Sequence, residues 1–250
     1  MSYSLSIRTC AGGFSFLVHS VASGQLVIED TVPAKEGESE ADNFARLLTH
    51  PRLLGRDYER VRFLSNAPTT QIPLDDFRRE DIVAIYRQVF SESTARAEDL
   101  AVQILPGLEV VCIYHLPSAI EQALREVFPQ ATIQNFPACL MEYVASRAQG
   151  MRSADYEGGH RGAVAFHVVV EGSNLLVVAT SRGRLQYANS FVCENDADRL
   201  YFLLSVWHLL QMDSQYDTCN LYDASPEFQN WVHEFIASVK PQALPSLVYL

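Results

Sequence analysis

The chain has 250 residues, 48% of them apolar and 20% charged, a composition that supports a buried core and excludes an intrinsically disordered chain. Thirty acidic residues stand against nineteen basic ones, and the formal charge of -11 argues against a sequence-independent grip on nucleic acid, which needs clustered Lys and Arg. The first residues show no basic stretch followed by an apolar run, so no signal peptide is expected, and the longest apolar stretches, 175–179 and 203–210, are too short or too interrupted to cross a membrane.

The opening segment reads as three strands. Leu5 and Ile7 alternate with polar neighbours, and Ala11-Gly12-Gly13 supplies a turn that tolerates positive φ. Phe14, Phe16 and Val18 resume the period of two, Ser23-Gly24 turns again, and 26–32 makes a third strand. Links this short join antiparallel neighbours. Ser39 then caps a helix carrying Phe44, Leu47 and Leu48, limited by Pro51. Residues 61–64 form a short buried strand, 66–76 a polar, proline-marked loop, and 79–90 a helix with Ile82, Ile85 and Val89 on one side.

Strands at 100–104 and 108–114 flank the turn Pro106-Gly107. Ser118 caps a helix with an apolar stripe of Ile120, Ala123, Leu124, Val127 and Phe128, stopped by Pro129. A strand at 132–134 precedes a helix over 138–147 that turns Leu140, Tyr143 and Val144 inward. Residues 149–162 lose all periodicity and gain glycine, which places an internal boundary there and divides the chain into 1–150 and 151–250.

The opening pattern then returns. Strands at 163–170, 175–180 and 185–192 are joined by turns at 171–174 and 181–183. A helix over 196–212 buries Leu200, Leu203, Leu204, Trp207 and Leu210, and Leu221-Tyr222 ends a strand. Phe228, Trp231, Val232, Phe235 and Ile236 mark an amphipathic helix before a last strand at 247–249. Both tryptophans read as core residues. Three strands and a helix, twice, about 150 residues apart, predict an α/β protein in which helices cover mixed sheets.

With these elements in place, the chain resembles the actin-like superfamily, a duplicated ribonuclease-H-like fold. It is similar in particular to a small uncharacterised bacterial family of that fold and, more distantly, to actin-like domains of pilus-assembly and type II secretion machinery. The residues that carry the resemblance are Leu5-Ser6-Ile7 with Gly13-Phe14-Ser15-Phe16, then 72–77 (Ile-Pro-Leu-Asp-Asp-Phe), then 185–191 (Leu-Gln-Tyr-Ala-Asn-Ser-Phe) followed by the aromatic helix. In superfamily members that hydrolyse ATP, an Asp ends the first strand and Gly follows two places later. With the motif glycine on Gly12, Cys10 stands where that Asp would be; with it on Gly172, Val170 does. The resemblance therefore implies two degenerate phosphate loops. Gly12-Gly13 and Gly172-Ser173 keep backbone N–H groups for an anion, but neither hairpin keeps its acid.

Other chemistry is weaker still. The seven histidines lack zinc-like spacing, and His167, which interrupts an apolar strand, reads as a satisfied sheet residue. The five cysteines, at 10, 112, 139, 193 and 219, contain no Cys-x-x-Cys pair and read as reduced thiols in a cytoplasmic protein. Asp75-Asp76 shape a loop, and Asp196 with Asp198 start a helix. The expected function is a non-enzymatic actin-like protein that takes no cofactor and binds another protein, with weak or atypical ATP binding as the alternative.

Overall fold

The computed structural model describes residues 2–10, 12–150, 164–181 and 184–244. Two five-stranded mixed sheets repeat one topology. In the first, β1 (Ser2–Cys10), β2 (Gly13–Ser20) and β3 (Leu26–Pro33) form an antiparallel meander, and β4 (Asp57–Ser65) and β8 (Thr132–Asn135) extend it in parallel beyond β1, giving the order β3-β2-β1-β4-β8. In the second, β9 (Val164–Glu171), β10 (Asn174–Ser181) and β11 (Arg184–Val192) form the meander, and β12 (Thr218–Tyr222) and β13 (Ser238–Gln242) extend it, giving β11-β10-β9-β12-β13. The repeat read from the sequence is therefore a repeat of strand order. Between β4 and β8 the first lobe carries an extra antiparallel sheet of β5 (Thr69–Pro73), β6 (Leu100–Leu105) and β7 (Val110–His115), in the order β5-β7-β6.

Each mixed sheet lays one face on helices. In the first lobe α1 (Glu40–Leu48) and α3 (Ser118–Val127) cover Leu5, Ile7, Phe16, Val18 and Phe63. Ser39 caps α1 as expected: its hydroxyl accepts from the Asp42 N–H while Asp42 reaches back to the Ser39 N–H, a reciprocal capping box. In the second lobe α5 (Asp196–Leu209) and α6 (Pro226–His233) cover Phe166, Val168, Leu175 and Val177 through Leu203, Trp207, Phe228 and Val232.

The opposite faces of the two sheets meet around α4 (Phe136–Gly150). Leu140, Met141 and Val144 of this helix pack with Leu64 of β4, with Leu105 and Val110 of the extra sheet, and with Val169, Leu176 and Val178 of the second lobe in one buried cluster. Strands β9 and β10 are thus apolar on both faces, as buried strands are. Asn135, fully buried, sets the start of α4: its side-chain oxygen accepts from the Ala138 N–H at 3.1 Å while its amide donates to the carbonyls of Ser65 and Ala67.

Several expectations need correction. The segment 66–76 holds a strand, β5, because its backbone pairs with the apolar β7, and this outweighs its proline flanks. Helix α2 (Ile82–Val89) is shorter than 79–90 and follows a 3-10 turn over Arg79–Asp81; it buries Ile82 and Tyr86, one turn apart, and leaves Val89 56% exposed. Ser118 does not cap α3. It is the first residue of the helix, and both its N–H and its hydroxyl donate to Asp99, which caps α3 from the 3-10 turn that precedes β6. Trp207 is fully buried as expected, but Trp231 and Phe235 are exposed at 44% and 49%. The last described strand is β13; the expected strand at 247–249 and most of the expected boundary at 149–162 lie outside the described residues, and α4 runs to Gly150.

Candidate functional site

Two hairpins face each other between the lobes. In each, the first strand of the meander turns back after two residues: Cys10 pairs with Gly13, and Glu171 pairs with Asn174. Gly12 adopts φ +83° and Gly172 φ +54°, values that explain glycine at both turns. Gly13 is required for a further reason. A Cβ there would lie 2.3 Å from the Val32 carbonyl oxygen and 2.8 Å from the Ala34 nitrogen, so β3 would have to move. Each tip is tied to its own lobe. The Gly12 carbonyl accepts from the Ala34 N–H, the Ser173 carbonyl from the Cys193 N–H, and the Gly172 carbonyl from the Arg199 guanidinium.

This register moves one assignment. Aligning the glycines sets Val170 opposite Cys10, whereas the strand pairing makes Glu171 the counterpart of Cys10. Val170 packs with the α5–α6 core, and Glu171 lies one residue further, on the opposite face of β9, where it lines a small pocket with Asn66, Phe136 and Asn174. An acid is therefore present at the second hairpin, and it has a partner. Arg8, two residues before Cys10 on the same face of β1, forms an ion pair with Glu171 across the interlobe space. The two side chains are only 16% and 22% exposed, and the Arg8 guanidinium lies 4.6 Å from the centre of the Phe136 ring at the start of α4. Burial pushes the Glu171 carboxyl above the usual range, with Asp223 adding to the rise; Arg8 and Asn66 pull it down without cancelling the burial. Burial also raises the Cys10 thiol, with Arg8 lowering it and Glu171 raising it.

Beside the hairpins a cleft of about 410 Å³ is lined by Thr9, Cys10, Ser65, Asn66, His115 and Asn174, with Glu40 as its carboxylate. Among the described residues, the lining has no Lys or Arg. Hydrated Mg²⁺ takes oxygen ligands, and this set is a poor fit: one hairpin offers a thiol, and the carboxylate of the other is held by a guanidinium. His167 is buried on β9, a sheet histidine as anticipated, with Nδ1 3.1 Å from the Tyr222 hydroxyl. Cys112, Cys139, Cys193 and Cys219 are buried thiols, Cys10 is partly exposed, and all five are free. Arg8 and Asn135 escaped the sequence reading. The period-two pattern of β1 gave a signal for Arg8, since it sets Arg8 opposite Leu5 and Ile7 on a face that reads as solvent until α4 is placed against it.

The sequence pattern of one family, described as a protein of unknown function (DUF3822), matches residues 1–238. The chain belongs to the DUF3822 family. No curated protein matches it in sequence. Among solved structures, this DUF3822 chain is similar to a Bacteroides thetaiotaomicron protein of actin-like ATPase fold and unknown function: 25% identity, TM-score 0.78, covering 96% of this chain and 90% of that one. It is similar in fold to a chain of the PilM–PilN type IV pilus biogenesis complex, at 11% identity and TM-score 0.52, over 98% and 89% of the two chains. The cytoplasmic domain of EpsL, an inner-membrane component of the Vibrio cholerae type II secretion system, aligns at 12% identity over 99% and 92% of the two chains, with a TM-score of 0.49. The fold of this DUF3822 member is the duplicated ribonuclease-H-like, actin-like architecture, and no helix among its described residues is long and apolar enough to cross a membrane.

Proposed function

We propose that this chain is a non-enzymatic actin-like protein that binds another protein as an assembly or scaffold component, and that its two hairpins are degenerate phosphate loops. The observation that carries the reading is the Arg8–Glu171 ion pair. A metal–nucleotide complex between the hairpins needs free acidic oxygens for the cation and free donors for the phosphates. Here the one hairpin carboxylate and the nearest guanidinium neutralise each other, and Cys10 leaves the other hairpin without an acid. The fold likeness to a chain of a pilus-assembly complex supports a protein partner in kind only. We read residues 1–150 and 151–250 as the two subdomains of the duplicated fold. Five free thiols support a cytoplasmic location.

The cleft of about 410 Å³ beside Cys10 favours a second reading, weak or atypical ATP binding through the backbone N–H groups of the turns. Isothermal titration with ATP at saturating magnesium separates the two. The protein-binding reading expects no measurable heat. A low-micromolar dissociation constant, abolished by Gly12→Trp in a protein that still folds, overturns it in favour of the nucleotide.

A further inference from the structure

We propose that the outer face of α5 and α6 docks a basic, amphipathic segment of a partner protein; this rests on the protein-binding reading and gives that partner a chemistry. Both helices spend their apolar inner faces on the second sheet, through Leu203, Val206, Trp207, Phe228 and Val232. Large apolar side chains are nevertheless left outside. Tyr201 and Leu209 are each 67% exposed on α5, eight residues and so roughly 12 Å apart along the helix. Tyr216, in the loop after α5, is 75% exposed, and Trp231, near the end of α6, and Phe235, just beyond it, are 44% and 49% exposed. The Ala237 N–H donates to the Ser214 carbonyl at 2.8 Å, which joins the Tyr216 loop to the segment bearing Phe235, and α5 packs beside α6. Single exposed hydrophobics are ordinary on a protein surface; five on two packed helices and the segments that follow them form a surface of the kind that partners cover, and Trp and Tyr are the residues that dominate such contacts.

Charge selects the occupant. Between positions 194 and 240 the chain has eight acidic residues and two basic ones. Asp213 and Asp217 bracket Tyr216, and Glu234 stands between Trp231 and Phe235. Of the two cations, Arg199 is held by Asp196 and the Gly172 carbonyl. An aromatic surface rimmed by carboxylates repels anionic lipid and nucleic acid, and it repels a second copy of itself in a symmetric contact. It attracts a segment whose apolar residues recur at helical spacing among Lys and Arg.

The test uses the full chain and a fluorescently labelled synthetic peptide of about 18 residues, Leu at helical spacing and Lys elsewhere, with a Glu-for-Lys peptide as control. Trp231 reports contact directly, because Trp207, the other tryptophan, is fully buried. The Lys peptide is expected to shift the tryptophan emission to the blue and to bind less tightly as salt rises. The double variant Tyr201→Ser/Trp231→Ser, which changes no charge, is expected to bind about tenfold more weakly with its melting temperature unchanged. Equal binding by wild type and double variant reduces the attraction to diffuse electrostatics and overturns the proposal. So does equal binding of the Glu peptide, no binding at all, or a wild-type dimer in sedimentation that the same substitutions dissociate. The Mg-ATP titration is independent of these arms: tight nucleotide binding defeats the protein-binding reading even where the peptide docks, and a failed peptide arm removes this surface while leaving that reading in place.

Discussion

Arg8, on the first strand of one lobe, forms an ion pair with Glu171, at the end of the first strand of the other, so a single guanidinium links the two hairpins. The two ends of this pair are not equivalent. Glu171→Gln leaves Arg8 beside the Phe136 ring and removes a carboxylate that burial disfavours. Arg8→Ala leaves a half-buried carboxylate without its cation. Urea unfolding at neutral pH is expected to give a loss of about 1–3 kcal/mol for Arg8→Ala and a smaller loss for Glu171→Gln. Equal losses would mean that the pair behaves as an exposed surface contact.

The same carboxyl sets a pH dependence. Its folded pKa is raised, so the folded state holds the proton more tightly than the unfolded chain. The stability this contributes is fully present below the ordinary glutamate value of 4.5 and is lost as pH rises through the raised folded value. Wild type measured against Glu171→Gln should therefore lose relative stability across that rise. In an Arg8→Ala background the loss should extend to higher pH, because the group that lowers the folded pKa is gone. A flat difference between the two proteins from pH 4 to pH 7 would remove Glu171 from the account.

Asp99 works with the opposite sign. The backbone N–H of Ser118, and then its hydroxyl and Arg96, hold the Asp99 carboxyl below the usual aspartate range. Its stabilisation is present above the unfolded aspartate value and is lost as pH falls through the lowered folded one. Asp99→Ala is expected to cost about 1 kcal/mol at neutral pH, the ordinary worth of a helix cap, and Ser118→Ala less, since the backbone N–H remains. Circular dichroism melts that ranked the two the other way would assign the cap to the hydroxyl.

At the first hairpin, neighbouring glycines should respond differently. Gly12→Ala meets open space and pays only for its positive φ, about 1–2 kcal/mol. Gly13→Ala adds a collision with the backbone of β3 and should cost more, with enhanced hydrogen exchange along 26–33. Equal melting temperatures for the two variants would count against the close approach of Gly13 to Val32.

Thiol accessibility gives a count. In the folded protein Cys10, the cysteine that is partly exposed, is expected to react first with a thiol reagent and slowly at pH 8, because burial and Glu171 raise its pKa. All five should react once the chain is unfolded without reductant. A native protein in which Cys112 or Cys219, both pushed up to about 12 by burial, reacts as fast as Cys10 would contradict the packing around them.

The meander of each lobe was legible because alternation and short turns act locally: Leu5 with Ile7, Phe14 with Phe16, and the glycines between them define hairpins without reference to the rest of the chain. What escaped depends on partners far away in sequence. β5 is a strand because β7 pairs with it some forty positions later. Val89 looks like a core residue by spacing, yet it is 56% exposed on the outer side of α2. Trp231 follows the apolar pattern of α6 but lies off the stripe that meets the sheet. Aligning the glycines puts Val170 at the acidic position of the second hairpin, whereas the pairing of Glu171 with Asn174 makes Glu171 the residue that enters the turn. Arg8 was missed for a similar reason: the face on which it lies acquires meaning only when a second lobe is brought against it.

The buried cluster around α4 bears on how the molecule can move. Leu105 and Val110 before the helix, Leu140 and Val144 within it, and Val169 and Val178 after it are shielded by one another. Swinging one lobe away from the other would wet all of these surfaces together, at roughly 25 cal/mol for each Å² of apolar area uncovered. A core shared in this way opposes the opening of one lobe against the other, as in a strut rather than a jaw.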